Sequence, residues 1–192
     1  MLLTDIRPFK YTLTESKTNP GRIVVEGLMQ VADDTNGNGR IYPKQILERE
    51  VDKLKKTFIA QGNAFGELDH PDSPMVSLKN ASHVIQDLWW EGNNLIGRVE
   101  VLNTPFGNIV TEILKAGYSI GISSRGTGST EDTEDGRCIV CDDFDLVTWD
   151  FVSNPSVPGA FMKPVRSLNE SQGQKTFRFA RLNSVLDDIL RN

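Results

Sequence analysis

Two strand-like runs, residues 82–90 and 94–102, flank the turn sequence Glu91-Gly92-Asn93, and no other stretch constrains the fold as tightly. Short runs rich in Val, Ile, Leu and Trp around a glycine-containing turn predict a β-hairpin. A hairpin alone is marginal in water, so its apolar face needs further strands or helices to cover it. The neighbouring sequence offers both. Residues 22–31 read as a strand through Ile23, Val24, Val25, Leu28 and Met29, and the Asp, Asn and Gly of 33–39 form a polar loop. Pro43 suits the first position of a helix in which Ile46, Leu47, Val51, Leu54 and Phe58 recur at helical spacing, closed by Gln61-Gly62. Thr104-Pro105 supplies the cap and first turn of a second helix through Ile109, Ile113 and Leu114, and Gly117 ends it.

Residues 118–123 are short and apolar, as in a buried strand, and 126–136 form a polar, acidic loop. Strand-like sequence resumes over 137–152 with a break near Asp142-Asp143, and the prolines of 154–160 require an irregular loop. Residues 1–20 are mixed and end in Lys17-Thr18-Asn19-Pro20-Gly21, after which the core is expected to begin. A polar linker from Ser167 precedes an apolar stripe of Leu182, Val185, Leu186, Ile189 and Leu190, a short amphipathic helix expected to pack on its own domain or, alternatively, on a partner. The pattern predicts an α+β fold, and 192 residues suffice for one domain with a hydrophobic core.

A formal net charge of −5 leaves no basic surplus for a dedicated nucleic-acid binder. No run approaches the roughly 18 uncharged apolar residues of a membrane span, and the N-terminal residues lack the apolar stretch of a signal peptide. A cytosolic protein is expected. Cys138 and Cys141 form a C-x-x-C, but in strand-like sequence with no second ligand pair it reads as neither a redox motif nor a zinc site.

Chemistry concentrates in two segments. Gly66-Glu67-Leu68-Asp69-His70-Pro71 sets one of only two histidines among carboxylates, and Gly121-Ile122-Ser123-Ser124-Arg125-Gly126 ends an apolar run in a serine pair. An imidazole can take a hydroxyl proton near neutral pH, so the two segments hold what a serine nucleophile and its base require. The other histidine, His83, sits in alternating sequence and reads as an ordinary strand residue. Ser123 and Ser124 would face opposite ways on a strand, so only one can be the nucleophile. No histidine follows them, and the group orienting the base would therefore be a carboxylate. Asp150, set among apolar residues where an unpaired acid is costly, is the candidate, with Glu67 and Asp69 as rivals. A metal site from Asp69, His70 and Asp72 lacks a second ligand cluster, and no metal or cofactor is expected.

Four segments in the same order, Asn36-Gly37-Asn38-Gly39-Arg40-Ile41-Tyr42-Pro43, Gly66-Glu67-Leu68-Asp69-His70-Pro71, Asp87-Leu88-Trp89-Trp90-Glu91-Gly92-Asn93 and Gly121-Ile122-Ser123-Ser124-Arg125-Gly126, carry a family likeness. From about residue 22 to 165 the chain resembles the prohead core proteases of large tailed bacteriophages, serine endopeptidases related to the herpesvirus assemblin fold. The resemblance implies a compact β-barrel flanked by helices, with His70 as base and Ser123 as nucleophile. The herpesvirus relatives use a second histidine as third member; here Asp150 falls at a comparable distance after the nucleophile. The resemblance further implies cleavage of scaffold and capsid precursor proteins after glutamate in a Leu/Ile-x-Glu context, inside the procapsid in the host cytoplasm, with self-association and with neither nucleic acid nor membrane as partner.

Two such motifs, Leu13-Thr14-Glu15 before Ser16 and Leu168-Asn169-Glu170 before Ser171, bracket the core in expected linkers, whereas Ile46-Leu47-Glu48 lies in a predicted helix. They divide the chain into a propeptide or tail over 1–15, a protease core over 16–170 and a C-terminal propeptide over 171–192, as a zymogen requires. A glutamate-binding subsite needs a cation, for which Arg40 and Arg125 are the expected residues. Backbone N–H groups of 154–159 or near Arg125 are expected to stabilise the oxyanion. The alternative is a catalytically inactive barrel of the same fold serving as a scaffold or structural component of the procapsid.

Overall fold

A computed structural model describes residues 2–8, 11–16 and 22–153 of the chain. In chain order the elements are β1 (Leu2–Pro8), β2 (Tyr11–Glu15), β3 (Ile23–Val31), β4 (Arg40–Ile41), α1 (Lys44–Thr57), β5 (Phe65–Glu67), β6 (Ala81–Glu91), β7 (Asn94–Val101), α2 (Pro105–Lys115), β8 (Gly121–Thr127), β9 (Thr130–Asp132), β10 (Cys138–Val140) and β11 (Asp145–Val152). The expected hairpin is β6 and β7, with Glu91 opposite Asn94 across a turn in which Gly92 takes φ 61°, a conformation that favours glycine. It lies inside a five-stranded sheet of order β2-β3-β7-β6-β5. A second sheet has the order β1-β8-β11, and a third, small one the order β4-β10-β9.

The helices form where the spacing predicts them. α1 buries Leu47, Val51 and Leu54, while Phe58 is its half-exposed C-cap and Gly62, at φ 69°, closes the following 3-10 turn. α2 begins at Thr104, whose hydroxyl accepts from the Gly107 N–H at 3.1 Å, and it buries Val110 and Leu114 while leaving Ile109 exposed. One apolar core joins the sheets to the helices, running through Val25, Met29, Leu47, Leu88, Val99, Leu114, Ile122, Trp149 and Phe151.

Two expectations change. The core does not begin after residue 21: Leu3 is 1% exposed within it, and β1 runs antiparallel along β8 with Ile6 opposite Ser123. Nor do the ladders of the described residues close into a barrel. β5 is only three residues long and carries a bulge at Gly66/Glu67, after which the chain leaves the sheet through Asp69 at φ 63°. β5 therefore meets β11 at a corner and not along a ladder. The corner is held by the bridge Leu68 to Phe151, by the Asp69 N–H donating to Phe151 O at 2.7 Å, and by the Thr148 hydroxyl donating to Phe65 O at 2.8 Å.

Candidate active site

The corner between β5 and β11 is where the chemistry-bearing side chains meet. On β8 alternate residues face opposite ways, so Ser123 and Arg125 share one face and Ile122 and Ser124 the other. β8 pairs with β11 so that Ser123 stands opposite Asp150, and Ser124 opposite Trp149. This register puts Ser123, and not Ser124, beside Asp150. The bridge at Leu68 and the left-handed turn at Asp69 then bring His70 over the pair from the loop that follows β5.

His70 Nε2 lies 2.6 Å from Ser123 Oγ, and His70 Nδ1 lies 2.8 Å from Asp150 Oδ2. Asp150 is an acceptor, so the arrangement calls for the tautomer in which Nδ1–H donates to the carboxylate and Nε2 accepts from the serine hydroxyl. Ser123 and Asp150 are buried, and His70, 16% exposed at its side chain, is the edge of the trio that meets solvent. The rival carboxylates are engaged elsewhere. Glu67 is buried, with Oε1 accepting from Arg125 Nη2 and from the Ser77 N–H, each at 2.9 Å. Asp69 is exposed, and its contribution to the corner is its backbone N–H. Both ring nitrogens of His70 are occupied and Asp72 is exposed, which removes the basis for a metal site there.

Arg125 is fully buried and does not serve a subsite open to substrate. Its Nε lies 2.8 Å from Asp150 Oδ2, as an ion pair off hydrogen-bond alignment. Nη2 donates to Asp150 Oδ1 at 3.1 Å as well as to Glu67, and Nη1 donates to Ser73 O at 2.7 Å. The expectation of a glutamate-binding role fails because a buried guanidinium requires partners and two carboxylates stand within reach. Arg40 lies on β4 beside Cys138, in the small sheet, separate from the sheet that carries Ser123 and Asp150. Cys138 donates to Asp132 at 2.9 Å, which pushes its thiol above the usual range and away from redox reactivity.

Of the two Leu-x-Glu segments, 168–170 lies outside the described residues, as do Ser171 and the loop 154–159. The other is not in a linker. Glu15 ends β2 opposite Ile23, and Ser16 is buried, its N–H donating to Arg22 O at 2.8 Å and its hydroxyl to the buried Glu100 at 2.9 Å.

Comparison with known proteins gives the family and the fold. A family described as prohead core protein serine protease matches residues 12–173. The chain belongs to that family. The chain is thus a protease of phage capsid maturation. It is 38% identical over 156 residues to the prohead core protein protease of Enterobacteria phage T4, covering 80% of this chain and 73% of the relative. The solved structure of the bacteriophage T4 capsid assembly protease, gp21, superposes with a TM-score of 0.75 at 32% identity, over 81% of this chain and 98% of that one. The mixed, strand-rich fold is shared.

The other histidine, His83, is buried and supports the site from behind, which its place in an alternating strand does not reveal. His83 Nε2 donates to Trp149 O at 3.0 Å and Nδ1 accepts from Ser82 Oγ at 2.9 Å, while the ring packs on Phe151 at 4.4 Å between centroids. It thereby grips β11 on both sides of Asp150. The fit is close, since a Cβ added at Gly66 would stand 2.2 Å from both His83 Nε2 and Trp149 O. Burial lowers the His83 pKa from 6.5 to about 4, against the smaller opposing pull of Asp150 and the Trp149 carbonyl. The folded value lies below the unfolded one, so the unfolded chain binds the extra proton first. Stability is then complete above pH 6.5 and falls as pH drops towards 4, by about 3 kcal/mol. Urea unfolding at stepped pH is expected to show this loss, and His83→Gln is expected to flatten it.

Proposed function

We propose that the chain is a serine endopeptidase of phage capsid maturation, with Ser123 as nucleophile, His70 as general base and acid, and Asp150 as the group that orients and steadies the imidazole. The observation that carries this reading is His70 held between Ser123 Oγ at 2.6 Å and Asp150 Oδ2 at 2.8 Å. Ser123 Oγ attacks the scissile carbonyl as its proton passes to His70 Nε2. The imidazolium forms against Asp150 and then protonates the leaving amine. Water, deprotonated by the same nitrogen, releases the acyl group and regenerates the serine.

In this reading the substrates are scaffold and capsid precursor proteins inside the procapsid in the host cytoplasm, cut after glutamate in Leu/Ile-x-Glu segments. The first substrate is the chain itself, cut after Glu15 and Glu170. Core 16–170 is then separated from 1–15 and 171–192, and the full chain is a zymogen. Two features of the fold support this. β2 is an edge strand, so freeing Glu15 for cleavage breaks one ladder, that with β3. Loss of residues 1–15 also takes β1 from the edge of β8, the strand that carries Ser123. The kinship with the assemblin barrel belongs to the same proposal, supported by two sheets that meet at the site.

The test is intact-mass spectrometry of the purified full chain during incubation, followed by reaction with a fluorophosphonate. Products beginning at Ser16 and ending at Glu170, with the adduct mapped to Ser123, are expected. A folded chain of unchanged mass that takes no adduct would favour the catalytically inactive scaffold.

A further inference from the structure

We infer that Arg125 and Glu67 are positioning residues of the proposed triad, forming one buried charge chain from Glu67 through Arg125 and Asp150 to His70. This rests on the serine-protease reading above and extends it. The chain starts from what holds His70 in place. His70 lies in the connection between β5 and β6, which has neither helix nor strand to stiffen it; Leu68 at its start packs against the core, but beyond His70 Met75 is 76% and Leu78 71% exposed. Hydrophobic burial by those residues does not anchor this loop. Polar ties do. Arg125 Nη1 donates to Ser73 O at 2.7 Å and Glu67 Oε1 accepts from the Ser77 N–H at 2.9 Å. One guanidinium on the nucleophile strand thus grips the loop of the base and, through Nε and Nη2, the carboxylate behind the base. Lysine has one point of charge and could not hold three acceptors in these directions.

Glu67 answers a problem that Arg125 creates. A guanidinium paired with Asp150 alone would cancel the negative charge that the imidazolium needs opposite it. With both carboxylates the buried group of Glu67, Asp150 and Arg125 carries a net negative charge of one, which becomes zero when His70 gains the serine proton. Charge balance is therefore reached in the transition state and not before it, which is differential stabilisation. The Glu67 backbone adds to the positioning, its N–H donating to Asp150 Oδ1 at 2.9 Å. Oε2 of Glu67 is buried without a hydrogen-bond partner, so the charge of this carboxylate is compensated through Oε1, which faces the Arg125 guanidinium at 2.9 Å.

The experiment starts from each purified full chain, takes it through the processing incubation and measures the rate of fluorophosphonate labelling of Ser123, with intact mass recording how far each chain has been processed and unfolding curves as the control for folding. Arg125→Ala is expected to slow labelling about 100-fold, the scale set by a misplacement near 1 Å. Millimolar guanidinium chloride should restore at least a tenth of the lost rate by occupying the vacated site, where equal sodium chloride does not, and Arg125→Lys should stay slow. Glu67→Gln keeps an oxygen for Arg125 and Ser77 but removes the charge, so it should fold as the wild type does and label about tenfold more slowly. It also carries the test should Arg125→Ala fail to fold. Labelling of Glu67→Gln within twofold of wild type, or slow labelling of folded Arg125→Ala that responds equally to both salts, overturns the inference while leaving the protease reading intact. A wild-type chain that takes no label on Ser123 overturns both.

Discussion

Ser123→Ala is expected to leave only full-length chain, with neither end removed over an incubation in which the wild type is fully processed. The substitution deletes a single oxygen from a side chain that is fully buried between β1 and β11. The ladder registers of β8 do not depend on that oxygen, and the cost of leaving His70 Nε2 without its partner is limited because the imidazole reaches solvent. The variant should therefore fold, and its failure would be chemical. Removing a serine nucleophile costs about 10⁶-fold in kcat, with binding and oxyanion contacts supplying the residual rate. At that rate no product accumulates during the incubation. Ser124→Ala is the matched control, because Ser124 stands opposite Trp149 on the other face of β8. Processing of Ser123→Ala at the wild-type pace, or its loss only in Ser124→Ala, would remove Ser123 from the role.

The elements that local pattern foretold are those whose signals are local. The β6–β7 hairpin announces its own turn at Gly92, and both helices carry their periodicity and stops within a few turns of the chain. β1 was missed because its partner is β8, far along the sequence, and nothing in Leu2 to Pro8 specifies that pairing. Glu15 reads as linker sequence for a related reason: Pro20 and Gly21 after it mark a turn, but its pairing with Ile23 depends on the sheet behind it. His70, the serine pair and Asp150 stand out by type, but choosing Ser123 over Ser124 rested on the family resemblance, and it is the register of β8 on β11 and the turn at Asp69 that set Ser123, Asp150 and His70 side by side. The direction in which Arg125 points was not legible in the sequence. An arginine two residues after a serine reads equally as a substrate contact or an internal ion pair, and the register of β8 against β11 decides between them. Glu67 reads in the sequence as a rival of Asp150, whereas its bonds make it the partner of Arg125. His83 was read as an ordinary strand residue, because one buried ring on an alternating strand gives no sign that it grips the neighbouring backbone.

Asp150→Asn is expected to lower the rate of self-processing and of Ser123 labelling by about 10⁴-fold, the scale found when a triad carboxylate becomes an amide. The cause lies in the donors around it. Asp150 Oδ1 accepts from the Glu67 N–H at 2.9 Å and from Arg125 Nη2 at 3.1 Å. Oδ2 faces His70 Nδ1 and Arg125 Nε, each at 2.8 Å. Every neighbour is a donor, whereas an amide has one accepting end and one donating end. If the new NH₂ faces Glu67 and Arg125, two buried donors lose their acceptor and the loop that carries His70 loosens. If it faces His70, Nδ1 must become the acceptor, the proton moves to Nε2, and the imidazole can no longer take the proton of Ser123. The second orientation leaves more of the buried hydrogen bonds intact, so the variant should fold and fail by tautomer, with Ser123 present but unreactive. Asp150→Ala removes the donor clash but leaves Arg125 and the Glu67 N–H facing an empty space, so its loss of rate should come with a loss of stability of about 3 kcal/mol or more. Rate and stability measured together separate the two variants: Asp150→Asn slow and stable, Asp150→Ala slow and unstable. A processing rate for Asp150→Asn within tenfold of wild type would deny Asp150 the third place.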